Sequence, residues 1–96
     1  MLILDSVIQK DRECYICGSC DRLESHHIYG GVANRPISEE LGYKVWLCFE
    51  HHRGTNGVHG KNGKSAMEYL HRKGQEHFEQ TGTREEFIKL FGKSYL

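Results

Sequence analysis

Cysteine and histidine recur in this chain at intervals that metal coordination uses, as Cys14-x-x-Cys17 and again as Cys48-x-x-His51. A tight turn with Gly18 behind the second thiol lets the thiolates of Cys14 and Cys17 reach one ion. Cys48 and His51 supply the matching half of a four-ligand structural zinc site. His52 follows directly, and on a helix it points about 100° away from His51. One helical turn can therefore give one imidazole to a structural zinc and the next to a different centre. The partners on offer to that second centre are His26, His27, Asn56 and His59. Cys20 extends the first series and is a spare, either a small buried residue or a substitute for Cys14 or Cys17.

Ninety-six residues make one small domain, which buries only roughly 60–65% of its unfolded-chain surface and so gains from a metal or from a second copy in a homodimer. With 38% hydrophobic and 27% charged residues the composition is globular. No apolar run approaches the about 18 residues of a transmembrane helix, and Met1-Leu-Ile-Leu is followed at once by Asp5, against a signal peptide. The expectation is a cytoplasmic protein with no membrane partner. In a reducing compartment, four cysteines among seven histidines read as ligands rather than disulfides. Thirteen basic and thirteen acidic residues cancel, which excludes a general polyanion binder. Any nucleic acid would be held by a local patch and by the metals.

The elements that must position these ligands follow from pattern. Met1 to Gln9 is apolar at 1–4 and at Val7 and Ile8, a strand or a helical turn that packs on the core. Arg22 to Ile28 alternates as a short strand does, so that His26 and His27 face opposite ways. Gly30, Gly31 and Pro36 mark a loop, with a brief helical turn at Ser38–Leu41 before Gly42. Tyr43 to Phe49 reads as a second strand, closing a long-looped hairpin. A helix over Cys48–Asn56 would fray at Gly54, Gly57 and Gly60 and leave His59 on the loop beyond. Ser65-Ala-Met-Glu68 is a capping box opening a helix to about Gln80, with Met67, Leu70, Gly74 and Phe78 inward. Thr83-Arg-Glu-Glu86 opens another, carrying Phe87, Ile88 and Phe91 and ended by Gly92. His71 and His77 read as surface or packing histidines. The domain is single over 1–96, with an N-terminal segment 1–13, a metal core 14–60 and C-terminal helices 64–96.

Strand, loop, strand and helix, with Cys-x-x-Cys ahead, His26-His27 at the first strand's end and Cys48-x-x-His51-His52 at the helix start, resemble a small stand-alone HNH nuclease of the ββα-metal type. Glu24-Ser-His-His-Ile-Tyr-Gly-Gly, Lys44-Val-Trp-Leu-Cys and Arg84-Glu-Glu-Phe-Ile-Lys-Leu-Phe-Gly-Lys are similar to runs in short HNH proteins of phages of Gram-positive bacteria. The resemblance covers nearly the whole chain. It implies an α+β fold, a small zinc-stabilised domain with a short β-hairpin and C-terminal helices, acting as a DNA endonuclease or nickase in the bacterial host cell. It implies His26 and His52 as ligands of a catalytic divalent metal and His27 as general base. A further ligand is His59, with Asn56, on the helical face of His52, as the alternative. The family's middle asparagine, which orients the base, falls where Tyr43 stands here. Asn34 is the nearest upstream candidate for that task, and a backbone carbonyl could also do it.

Histidine ligands suit Zn, Ni or Mn, with Mg if waters complete the shell. Arg53, Lys61 and Lys64 flank the site and could grip phosphates. DNA is the expected partner, with phage or host replication, recombination or packaging proteins beside it. The rival reading, favoured by the neutral charge, is a non-catalytic zinc module that binds nucleic acid or a protein. A thiol redox role for Cys14 and Cys17 lacks the βαβ context it would need.

Overall fold

The alternating Glu24-Ser-His-His run forms β1 (Glu24–His27), and the β-branched and aromatic residues after Tyr43 form β2 (Lys44–Leu47), in a computed structural model that describes residues 6–96. Met1–Leu4, expected to pack on the core, lie outside the described residues. The strands pair antiparallel, His26 opposite Val45 and His27 opposite Lys44. The Ile28 amide extends the ladder to the Tyr43 carbonyl at 2.9 Å. Two strands are marginal by themselves in water, so the helices that cover them supply the stability. The architecture is α+β, a two-stranded sheet with helices. No helix among the described residues is long and apolar enough to cross a membrane.

The connection between the strands corrects the sequence reading. Where Gly30, Gly31 and Pro36 suggest a loop, the chain is helical from Gly31 to Leu41 (α1), and the expected turn at Ser38–Leu41 is that helix's end, closed by Gly42 in the left-handed conformation. Pro36 removes one backbone hydrogen bond, to the carbonyl of Val32. Val32 is 99% exposed, so water can serve that carbonyl. Tertiary contacts outweigh the local signals. The buried Ser38 hydroxyl donates to the Tyr29 carbonyl at 2.9 Å and accepts from the Tyr29 amide at 3.0 Å.

The next helix is shorter than expected. α2 (Phe49–His52) has Cys48 as N-cap and stops well before Asn56, and the chain then winds through turns to Gly63. The Ser65/Glu68 capping box does not form, because α3 (Lys64–Phe78) starts ahead of Ser65, with Gly63 as N-cap. Glu68 instead faces Lys64 at 3.9 Å. The second box forms as expected. Thr83 Oγ1 accepts from the Glu86 amide at 3.1 Å and the Glu86 carboxylate accepts from the Thr83 amide at 2.8 Å, opening α4 (Arg84–Phe91).

Tyr29 stands at the centre of the core. It is fully buried, edge-on to Tyr43 and Phe87 and 4.4 Å from the Phe91 ring. Its hydroxyl donates to the His71 carbonyl at 2.7 Å. The His71 ring stacks on Tyr29, and His77 Nδ1 lies 3.3 Å from the Tyr43 hydroxyl, so both histidines pack. Gly74 of α3 leaves the space that the Tyr29 hydroxyl fills; a Cβ there would run into it. Alanine at 74 is favoured by helix propensity by about 1 kcal/mol, whereas overpacking a core typically costs about 1–3 kcal/mol. Gly74→Ala is therefore expected to lower Tm by several degrees in a thermal melt. An unchanged or raised Tm would show that Tyr29 yields freely.

Candidate metal centres

The first centre is built by a turn and a helix start. The Cys14 amide donates to the Ser19 carbonyl at 2.7 Å and the Gly18 amide to the Cys14 carbonyl at 2.8 Å, closing the turn. The Tyr15 amide, bonded to the Trp46 carbonyl at 2.8 Å, ties that turn to β2. From the far side come Cys48, the N-cap of α2, and His51, within that one turn of helix. Cys17 and Cys48 sulfurs are 3.8 Å apart, and His51 Nδ1 lies 3.7 Å from Cys14 Sγ and 3.3 Å from Cys48 Sγ. Bonds of about 2.3 Å to sulfur and about 2.0–2.1 Å to nitrogen give a tetrahedron with edges of roughly 3.5–3.8 Å. The four atoms thus stand close to the corners such an ion requires, and the cluster is compatible with a zinc site. Burial opposes charge on Cys14, but hydrogen bonds from the backbone at Cys48, Cys17 and Ile16 hold its thiol down at about 6, poised as the thiolate a metal needs. Cys20 is exposed, faces the Arg12 carbonyl and stands outside the cluster.

The second centre gathers His26, His52 and His59, each with a nitrogen within 4.8 Å of the others'. β1 supplies His26 and the end of α2 supplies His52, which turns away from His51 as the helical spacing requires. His59 arrives because the turns after α2 fold back. The Val58 amide donates to the His51 carbonyl and the His59 amide to the His52 carbonyl, both at 2.9 Å. That return needs Gly60, where a Cβ would collide with the Gly54 carbonyl. Asn56, expected on the helical face of His52, lies instead in the turns after α2 ends at His52.

Burial, then the neighbouring imidazoles of His52 and His59, hold His26 down at about 3, so it is neutral at physiological pH. Its Nε2 is buried without any hydrogen-bond partner. Burial also lowers His59, with His52 and Arg53 adding to the effect. His52 Nδ1 lies 2.7 Å from a Glu24 carboxylate that hydrogen bonding to His52 keeps below its ordinary range. A carboxylate only accepts, so Nδ1 carries the proton and Nε2 keeps its lone pair, the arrangement that orients a ligating histidine.

A cavity of about 320 Å³ opens beside these rings, lined among others by Ser25, His26, His27, Arg35, His52 and His59. Comparison with protein-family models, curated proteins and solved structures finds no match for the chain. The chemistry of the cavity therefore rests on its own side chains.

His27 Nε2 lies 2.8 Å from Glu39, whose other oxygen accepts from the buried Lys44 ammonium at 2.8 Å. Lys44 first, then His27, pull the Glu39 carboxyl down to about 2. An ionised Glu39 accepts, which puts the His27 proton on Nε2 and leaves Nδ1 free to take another. Asn34, the candidate orienter, is elsewhere: its amide donates to the Phe91 carbonyl at 3.1 Å and ties α1 to α4. Glu39 could not be singled out from sequence while its helix read as loop and turn. The sequence reading passed over Glu24 as well, although Glu24-x-His26 puts a carboxylate on the same strand face as a candidate ligand.

The three candidate phosphate cations do not line the cavity. Arg53 donates to Glu24 at 2.9 Å and so braces the His52 partner, Lys64 faces Glu68, and Lys61 is exposed beyond the cluster.

Because the two clusters draw on different faces of one short helix, they should separate on mutation. His52→Ala is expected to keep one tightly bound metal ion per chain and a near-normal Tm while losing metal from the histidine cluster. Metal content by elemental analysis checks this; loss of the ion held by the cysteines would mean that His51 and His52 do not divide as described.

Proposed function

We propose that the protein is a metal-dependent endonuclease or nickase of the HNH type, hydrolysing DNA phosphodiester bonds, with zinc at Cys14, Cys17, Cys48 and His51 as a structural ion. The observation that carries this reading is the orphaned Nε2 of His26. A neutral, buried imidazole nitrogen without a partner costs stability, and here it stands beside two further imidazoles in the lining of a cavity that an oriented histidine also lines. A packing role would not need that arrangement.

The donor set fits a divalent metal. Three nitrogens leave coordination positions open, as catalytic sites do, and imidazole suits Zn, Ni or Mn, with Mg admitted if waters complete its shell. A divalent ion bound by His26, His52 and His59 would offset charge that develops on the scissile phosphate. His27 acts as general base: its Nδ1 takes a proton from the attacking water as the new P–O bond forms, the opposite P–O bond breaks, and solvent returns a proton to the leaving oxygen. Histidine is the side chain most often used for such a proton transfer. Glu39 holds the ring in the competent tautomer, the orienting task of the family's middle asparagine, and as a carboxylate stabilises the imidazolium that results. Glu24 does the orienting for His52. Bacterial cytoplasm and a phage or host DNA-processing pathway are the setting this reading implies.

The deciding experiment is a plasmid nicking assay with Mg, Mn, Ni and Zn, on protein freed of contaminating nucleases. Cleavage that depends on added metal is expected. If plasmid, single-stranded and branched DNA all survive with every metal, the enzyme reading falls and the non-catalytic zinc module takes its place.

A further inference from the structure

The nuclease reading leaves the phosphate without a grip in the cavity, since none of Arg53, Lys61 and Lys64 lines it. The cavity itself offers one. Gly30, Gly31 and Arg35 line it together with the histidines, and they belong to the start of α1. The first amides of a helix have no partner within it, and the dipole there favours an anion. In α1 no side chain caps this end, no acidic residue sits in the first turn, and the amides of Gly31, Val32 and Ala33 donate to nothing among the described residues. Gly31 has φ +88°, and a Cβ at Gly30 or Gly31 would meet no atom within 4 Å, so the space against this backbone is open. Arg35 stands one turn on, on the same face as Gly31, and forms no ion pair among the described residues. Glu39, a further turn along, is taken by Lys44 and His27 and does not neutralise it. The same cavity is lined by His26, only 6% exposed, with its Nε2 unpartnered.

We infer that the uncapped start of α1, with Arg35, is the phosphate-binding subsite of this cavity, and that its ligand is a phosphodiester. Backbone amides of Gly31 to Ala33 take one phosphate oxygen and the Arg35 guanidinium another, which seats the phosphorus between the histidine cluster and His27. A monoanionic diester suits a site with one guanidinium and a helix terminus.

The inference rests on the nuclease reading for its meaning but not for its test. Isotope-labelled protein holding its metals is titrated with dimethyl phosphate and, separately, with inorganic phosphate, and amide resonances are followed. Expected are saturable shifts at Gly31, Val32 and Ala33 with dimethyl phosphate, an affinity roughly tenfold or more weaker in Arg35→Ala, and an intermediate one in Arg35→Lys. Exposed Arg35 can be lost without unfolding, which an unchanged Tm and metal content would verify. Silent amides, shifts indifferent to Arg35→Ala, or a response to inorganic phosphate alone would overturn the subsite. Seated dimethyl phosphate in a protein that cuts no DNA would instead support the subsite and sink the nuclease reading.

Discussion

His27→Ala is expected to lower the DNA cleavage rate by roughly 10²–10⁴ at any metal concentration, with the fold and both metal clusters intact. The reason lies in where the two neighbouring histidines go. His26 enters the ring cluster and His27 meets Glu39, so on the proposed nuclease reading loss of His27 removes the proton acceptor and no member of the metal cluster. His26→Ala removes a ligand, which weakens metal binding, and millimolar-scale metal should restore part of the rate. Glu39→Gln provides an internal check: an amide can still reach Nε2 but cannot stabilise the imidazolium, so activity should fall by less than in His27→Ala. The comparison is made in the nicking assay, with metal content measured on each variant. Full activity in His27→Ala would remove the residue from the chemistry, and metal rescue of His27→Ala as strong as that of His26→Ala would exchange their roles.

Much of this site was legible because ligand spacing is a local property. Cys14-x-x-Cys17, Cys48-x-x-His51 and the divergence of His52 from His51 follow from turn and helix geometry alone, and the first cluster forms as those spacings require; the second, His26, His52 and His59, is the set that the HNH resemblance implied and that spacing left open. Both strands and the α4 capping box were readable for the same reason. What misled was α1, where two glycines and a proline are strong local signals for a loop. The helix there is held by contacts distant in sequence, the Ser38 hydroxyl on Tyr29 and the Asn34 amide on Phe91, which no local pattern displays. Misreading it hid Glu39 and Arg35 together, because only a helix puts Gly31, Arg35 and Glu39 on one face. Ser65 misled in the smaller way, as a shift of the cap by two residues, to Gly63, makes Ser65 an ordinary first-turn position.

Loss of the cysteine-rich centre should have the largest effect on the fold. A structural zinc contributes apparent binding free energy of about 10–16 kcal/mol in small domains, against total stabilities of about 5–15 kcal/mol. A chain of 96 residues has little core to set against such a loss. The four clustered residues join the Cys14–Gly18 turn to the start of α2, and Cys48 is both a buried member of the cluster and the N-cap of that helix. Cys48→Ala is therefore expected to unfold or aggregate, and prolonged chelation of the wild type to lower Tm steeply. Cys20→Ala is the matched control: Cys20 is exposed and outside the cluster, and its loss should change stability by no more than about 0.5 kcal/mol. Circular dichroism melts with metal analysis distinguish the two cysteines. A well-folded Cys48→Ala protein that keeps its full metal content would sink the structural role, since no ion can stay bound at a centre whose ligand has gone without cost to the fold it supports.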